Sequence, residues 1–301
     1  MKQYINFSIE LTTDDEKIKA VYDDFKCKYK KFLIDEDMEL YSIPYETKEY
    51  FEISDIAERY YWDWNSAEDR DDFPGFYVDK GQLITEYSNE DYDRAVAYIV
   101  NFNKILYQYD SVNDFDFAGD CCDVPSWKIA KCVIQDKNYI LPKKEVKKKK
   151  YASCTFGYFL SEEVVCQLLN EHLAEKGDFK IITDIKGEKI GYQLMPENAI
   201  DVFMEGFNIT EVDFCRNCGV KRFFMGNEPY FMSESCINKL KGINRTKELF
   251  GSVPEEYENQ SSNPVLLTPK YIIDKKTYEF LKGKNDKMEF IPVFSGEKSL
   301  K

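Results

Sequence analysis

Apolar residues recur along this chain in two rhythms, one helical and one of short runs. Near the start, Tyr4, Phe7 and Ile9 mark a short strand. Thr12 or Thr13 then caps a helix, and Thr13 to Glu16 has the spacing of a capping box. Ile18, Val21, Tyr22, Phe25, Tyr29, Phe32 and Leu33 follow on one helical face, with Asp23, Asp24, Lys26, Lys28, Lys30 and Lys31 opposite. Such a stripe predicts a helix laid on a sheet. Residues 35–53 read as loop and strand. Ser88 or Asn89 opens a second helical pattern through Tyr92, Ala95, Val96, Ile99, Val100, Phe102 and Leu106. Residues 129–141 read as a strand pair.

The second half carries one phrase three times: Tyr158-Phe159-Leu160-Ser161, Tyr230-Phe231-Met232-Ser233 and Tyr271-Ile272-Ile273-Asp274. Each copy is a short apolar run, read as a buried strand, that ends in a residue suited to cap a helix. Beyond each cap, apolar residues stand at shared offsets: Val165, Ile237 and Tyr278, then Leu168, Leu240 and Leu281. Each copy therefore predicts strand, cap, helix. Two further strands, at 179–182 and 190–194, flank a Lys186-Gly187 turn. The fold class is α+β, in two domains: an acidic, aromatic-rich one at 1–142 and a second at 151–301. The lysine-rich run at 143–150 marks the junction.

Charge changes this picture in one respect. Of the net −14, residues 1–142 hold 31 Asp and Glu against 16 Lys and Arg, a net −15, and the remainder is +1. A field of that sign repels nucleic acid and attracts basic partners. No apolar run approaches the length of a membrane span, so no membrane partner is expected. Nine cysteines without the pattern of a small secreted domain read as reduced thiols in a cytoplasmic protein.

Large aromatics and acids interleave most densely at 60–77. Trp62, Asp63, Trp64, Glu68, Asp69, Asp71, Asp72, Phe73, Phe76 and Tyr77 are the candidate partner-binding residues there. Acids speed encounter with a basic surface, and aromatics supply desolvated anchors. The same composition also fits a tryptophan-containing core segment beside an acidic loop.

Chemistry is sparse. No GxSxG, HExxH or phosphate-loop motif is present, and His172 is the single histidine, at the end of an apolar helical stripe. Cys215-Arg216-Asn217-Cys218-Gly219 has the spacing of a zinc knuckle, with Cys236 as the nearest third thiolate. Zinc wants four ligands and the CxxC turn supplies two, with Cys236 the nearest candidate for another, so no cofactor is expected and zinc is the metal to test. The alternative readings are a structural zinc module, or a metal- or thiol-dependent enzyme centred on Cys215, Cys218 and Cys236.

With the Cys215–Gly219 turn, Glu248-Leu249-Phe250 and the closing Met288-Glu289-Phe290-Ile291-Pro292-Val293, the chain resembles the bacterial CxxCG-motif proteins. It resembles equally the related immunity-type domains found beside polymorphic toxin genes. The resemblance covers about residues 211–294, and more loosely 156–195. Members with two such turns can build a four-cysteine site; this chain has one, and Asp274 stands where serine is usual. The resemblance implies a non-enzymatic cytoplasmic protein, an immunity protein that binds and silences a cognate, basic toxin.

Overall fold

A computed structural model describes residues 1–59, 75–102, 127–128, 140–141, 143–146, 149–154, 157–203, 207–214, 221–250, 265–266, 268–284 and 288–296. The fold is α+β. Contacts divide the chain into two compact units, Met1–Asp91 and Tyr92–Lys301.

The first unit runs β1 (Lys2–Leu11), α1 (Glu16–Tyr29), β2 (Leu33–Asp35), β3 (Leu40–Pro44), α2 (Lys48–Arg59) and β4 (Phe76–Glu86). Its sheet is antiparallel with order β2-β3-β1-β4. This is the βαββαβ arrangement of ferredoxin-like domains, a fold that hosts many unrelated functions. Alternation in β1 puts Ile5, Phe7 and Ile9 on the covered face, where they meet Tyr41, Ile43, Phe76 and Val78. From the helices, Phe25, Tyr29, Ile53 and Ala57 close the same core. The cap of α1 is Asp15 rather than either threonine; its carboxylate accepts the N–H groups of Lys17 and Ile18. Thr13 contributes one step earlier, its hydroxyl accepting the Asp15 N–H.

Within 35–53, read as loop and strand, the strand is β3, but the stretch ends in helix, since α2 begins at Lys48. Thr47 starts it, accepting the Tyr50 N–H on its hydroxyl and the Phe51 N–H on its carbonyl. Only Ile53 and Ala57 are fully buried in it, a stripe too narrow to stand out in sequence.

In chain order the remaining elements begin with α3 (Asn89–Arg94), β5 (Ala97–Phe102), β6 (Trp127–Lys128) and α4 (Lys143–Val146). Next come β7 (Tyr151–Cys154), β8 (Gly157–Leu160), α5 (Glu162–Asn170), β9 (Phe179–Thr183) and β10 (Lys189–Leu194). Then follow β11 (Ala199–Ile200), β12 (Ile209–Phe214), β13 (Lys221–Met225), β14 (Tyr230–Met232) and α6 (Glu234–Ile237). The last are β15 (Ile243–Thr246), β16 (Leu249–Phe250), β17 (Val265–Leu266), β18 (Tyr271–Asp274), α7 (Lys275–Leu281) and β19 (Met288–Ser295).

The second unit is organised by a mixed six-stranded sheet, β11-β15-β18-β5-β19-β14. It is buried on both faces. Tyr98 and Val100 of β5, Tyr271 and Ile273 of β18 and Met288 of β19 join the core that holds α5 and α7. Ala97, Ile99, Ile272 and Val293 point the other way, into a core with Phe207, Phe223, Tyr230 and Cys236. Double burial is why these strands read as unbroken apolar runs. A four-stranded antiparallel sheet, β7-β8-β10-β9, and a three-stranded one, β12-β13-β16, adjoin.

Two expectations meet different outcomes here. The three strand–cap–helix copies are present: the Ser161, Ser233 and Asp274 side chains accept the N–H groups of Val164, Cys236 and Thr277. The helix expected from residue 89 through 106, however, stops at Arg94, and Ala97–Phe102 is strand. The run Ala97-Tyr98-Ile99-Val100 is rich in residues that favour strands, and pairing with β18 and β19 on both sides decides it. The lysine-rich run includes the short helix α4, with Lys143 paired to Glu188 at 2.5 Å.

Candidate functional site

Of the acidic-aromatic candidates, Trp62, Asp63, Trp64, Glu68, Asp69, Asp71, Asp72 and Phe73 lie outside the described residues. Phe76 is fully buried in the core of the first unit, against Phe25 and Tyr22, so it is a packing residue and not a contact for a partner. Tyr77 is half-buried; burial and then a hydrogen bond with Glu10 raise its hydroxyl pKa. Cys215 and Cys218 also lie outside the described residues. Cys236 sits in the first turn of α6 at 0 % exposure, among apolar side chains, in the slot that Val164 fills in α5. A thiol so enclosed is placed for packing rather than for reaction with a solvent-borne substrate. Among the described residues, no three His, Cys, Asp or Glu side chains are grouped to hold a metal ion.

The charge of the first unit gains definition from the division of the chain. Residues 1–91 carry 24 Asp and Glu against 11 Lys and Arg, a net −13, and residues 92–301 carry 31 against 30, a net −1. Several of those few bases are already engaged. Lys28 reaches Glu52 at 2.9 Å, Lys31 reaches Glu49 at 2.8 Å and Lys48 reaches Glu52 at 3.3 Å. Lys26 pairs with Glu39, which also accepts the Tyr22 hydroxyl. The Lys28 ammonium first, then that of Lys48, holds the Glu52 carboxyl down to about 2. Lys31 likewise lowers Glu49. The Lys28 and Lys31 pairs tie the end of α1 and the turn after it to α2. Sequence periodicity placed Lys26, Lys28 and Lys31 opposite the apolar stripe and could not see the acids beside them.

What remains on the outward row of α2 is exposed: Phe51, Asp55 and Glu58, at i, i+4 and i+7. Phe51 is 56 % exposed, and its ring lies 5.1 Å from that of Tyr50, which lies 4.9 Å from Tyr45. This ladder of three rings was not singled out from sequence. Its signal, Tyr45 with Tyr50-Phe51 after a threonine cap, was legible only once α2 was recognised.

The second unit has a cleft of about 700 Å³ whose lining includes His172, Glu175, Asp178, Glu197, Lys241 and Asp274. Its rims are held by buried polar side chains. Asp178 accepts the N–H groups of Glu175 at 2.7 Å and Glu197 at 2.9 Å. Asn244, at 0 % exposure, accepts from the Lys241 N–H and the Asn198 amide, and donates to the Ile272 carbonyl. Gly242 has φ +53°, and a Cβ there would lie 1.9 Å from the Leu173 carbonyl, so only glycine fits. His172 also has a left-handed backbone, at φ 55°. It occupies the position after α5 that usually holds glycine, with Leu173 N–H bonded to Leu168 O and His172 N–H to Leu169 O. The lone histidine thus terminates a helix and reaches the cleft.

No helix among the described residues is long and apolar enough to cross a membrane. No protein-family model, curated protein or solved structure matches the chain.

Proposed function

We propose that this chain is a non-enzymatic, cytoplasmic binding protein that captures a basic protein partner through its first unit, as an immunity protein captures its cognate toxin. The observation that carries the reading is the segregation of charge: a net −13 on residues 1–91 against −1 on the rest. Four of the nine lysines in that unit, Lys26, Lys28, Lys31 and Lys48, are already spent in pairs with Glu39, Glu49 and Glu52. Such a field speeds encounter with a positive surface and is screened within about 10 Å at 0.1 M salt. The resemblance of the second unit to CxxCG-motif and immunity-type domains points the same way.

The test is binding kinetics of the full chain against the product of the adjacent gene, at several salt concentrations. Association should slow steeply as salt rises. Asp71→Lys with Asp72→Lys should slow association and flatten that dependence, leaving dissociation near its original rate. Absence of binding, or association indifferent to salt, overturns the reading.

A further inference from the structure

Resting on that reading, we infer that the ring ladder at the start of α2 is the anchor for an arginine of the basic partner, with Phe51 as its exposed face. Tyr45 and Tyr50 are half-buried, and Tyr50 in turn packs 6.5 Å from the core residue Phe7. The ladder is therefore rooted in the core, and its outermost ring is held in place rather than loose on the surface. Rigid aromatic anchors of this kind lose little freedom on binding.

The chemistry of the occupant follows from what already sits there. Lys80 places its ammonium 5.0 Å from the centroid of the Tyr50 ring and 3.1 Å from the Tyr50 hydroxyl. That ammonium sits at the edge of the Tyr50 ring, on its hydroxyl, so the ladder already has a cation beside it, and the exposed face of Phe51 has the negative quadrupole that attracts another. Asp55 and Glu58 stand on the same outward row of α2, one and two turns beyond Phe51. Neither is in an ion pair among the described residues, whereas Glu49 and Glu52 are both engaged. A planar guanidinium can stack on the ring and give its remaining N–H groups to a carboxylate; an ammonium offers no plane to stack. Arginine is the better fit.

The probe is an octa-arginine peptide, titrated calorimetrically into the full chain at low and moderate salt, with octa-lysine beside it. The wild-type protein should bind octa-arginine more tightly than octa-lysine, and more weakly as salt rises. Phe51→Ala should weaken octa-arginine binding by about 5- to 10-fold, the range of an exposed to partly desolvated cation–π contact. It should also narrow the preference for arginine over lysine. Phe51→Trp should retain or tighten binding, and Asp55→Asn with Glu58→Gln should weaken it. Because Phe51 is exposed, its replacement should leave the melting temperature unchanged. If Phe51→Ala melts early, Phe51→Leu decides the matter, since it keeps the apolar bulk and removes the ring. Full binding by a folded Phe51 variant overturns the anchor and leaves the proposed function standing. No salt-sensitive binding of octa-arginine by the wild-type protein overturns both.

Discussion

Three residues share one slot: Val164, Cys236 and Thr277 are each the third residue after a cap, and each is buried at 1 % or less. The slot is apolar, and Thr277 brings into it a hydroxyl with no hydrogen-bond partner. An unpartnered buried hydroxyl costs about 1–3 kcal/mol, whereas a methyl of the same shape does not. Thr277→Val should therefore raise stability by about 1 kcal/mol, seen as a higher midpoint in a thermal or urea melt. A lower midpoint would mean that the hydroxyl is bonded in solution. His172 poses a related question of backbone rather than packing. A residue with a Cβ in the left-handed region costs about 1–2 kcal/mol that glycine avoids, offset in part by glycine's freedom in the unfolded chain. His172→Gly should stabilise the protein by up to about 1 kcal/mol in the same melts. A loss of stability instead would show that the imidazole itself contributes to the cleft.

At the scale of elements, equal offsets from a cap do not make equal helices. Leu168 and Leu281 are buried at 1 % and 4 %, each inside its helix. Leu240 has the same offset but lies beyond the end of α6, which stops at Ile237, and it is only partly buried. Leu168→Ala and Leu281→Ala should each cost about 2–5 kcal/mol, with Leu240→Ala clearly below that range. Melts showing the three equal would mean α6 continues in solution. Helices α1 and α2 differ again, because charge helps to join them. The Glu52 carboxyl is held at about 2, below its ordinary 4.5, by Lys28 and Lys48. A depressed carboxylate contributes stability above its unfolded pKa and loses it as pH falls through the folded value. The contribution of Glu52 should be whole above pH 4.5 and disappear toward pH 2. Glu52→Gln should flatten that limb of the stability–pH curve measured by denaturant melts, and a mutant with the full acid limb would assign it to other groups.

For the whole molecule, the decisive strand is β5. It pairs with β18 at Tyr271↔Val100 and with β19 at Met288↔Phe102, at the middle of the six-stranded sheet. Its alternate residues enter both cores of the second unit. Deleting it would leave two central strands with unmet N–H and C=O groups and open both cores at once. A fragment of residues 88–301, which keeps α3 and β5 whole, should melt cooperatively, and a fragment of 151–301 should not. Cooperative melting of the shorter piece would place β5 outside the folding core.

Sequence alone determined what local bonds decide. Ser161, Ser233 and Asp274 cap their helices through N–H groups three residues on, and the strand pair about Gly187 turns within a few residues, so both were legible. The placement of negative charge was legible too, since it needs no coordinates. Only the tertiary structure decided that Ala97–Phe102 is a strand, because its partners lie 171 to 196 residues later, and pairing with them outweighs a helical spacing. Only tertiary structure put Phe76 in the core, paired Lys28 and Lys31 with the acids of α2, and left Phe51 as the outer ring of a ladder. Periodicity reports which residues share a face; what that face meets depends on groups distant in sequence.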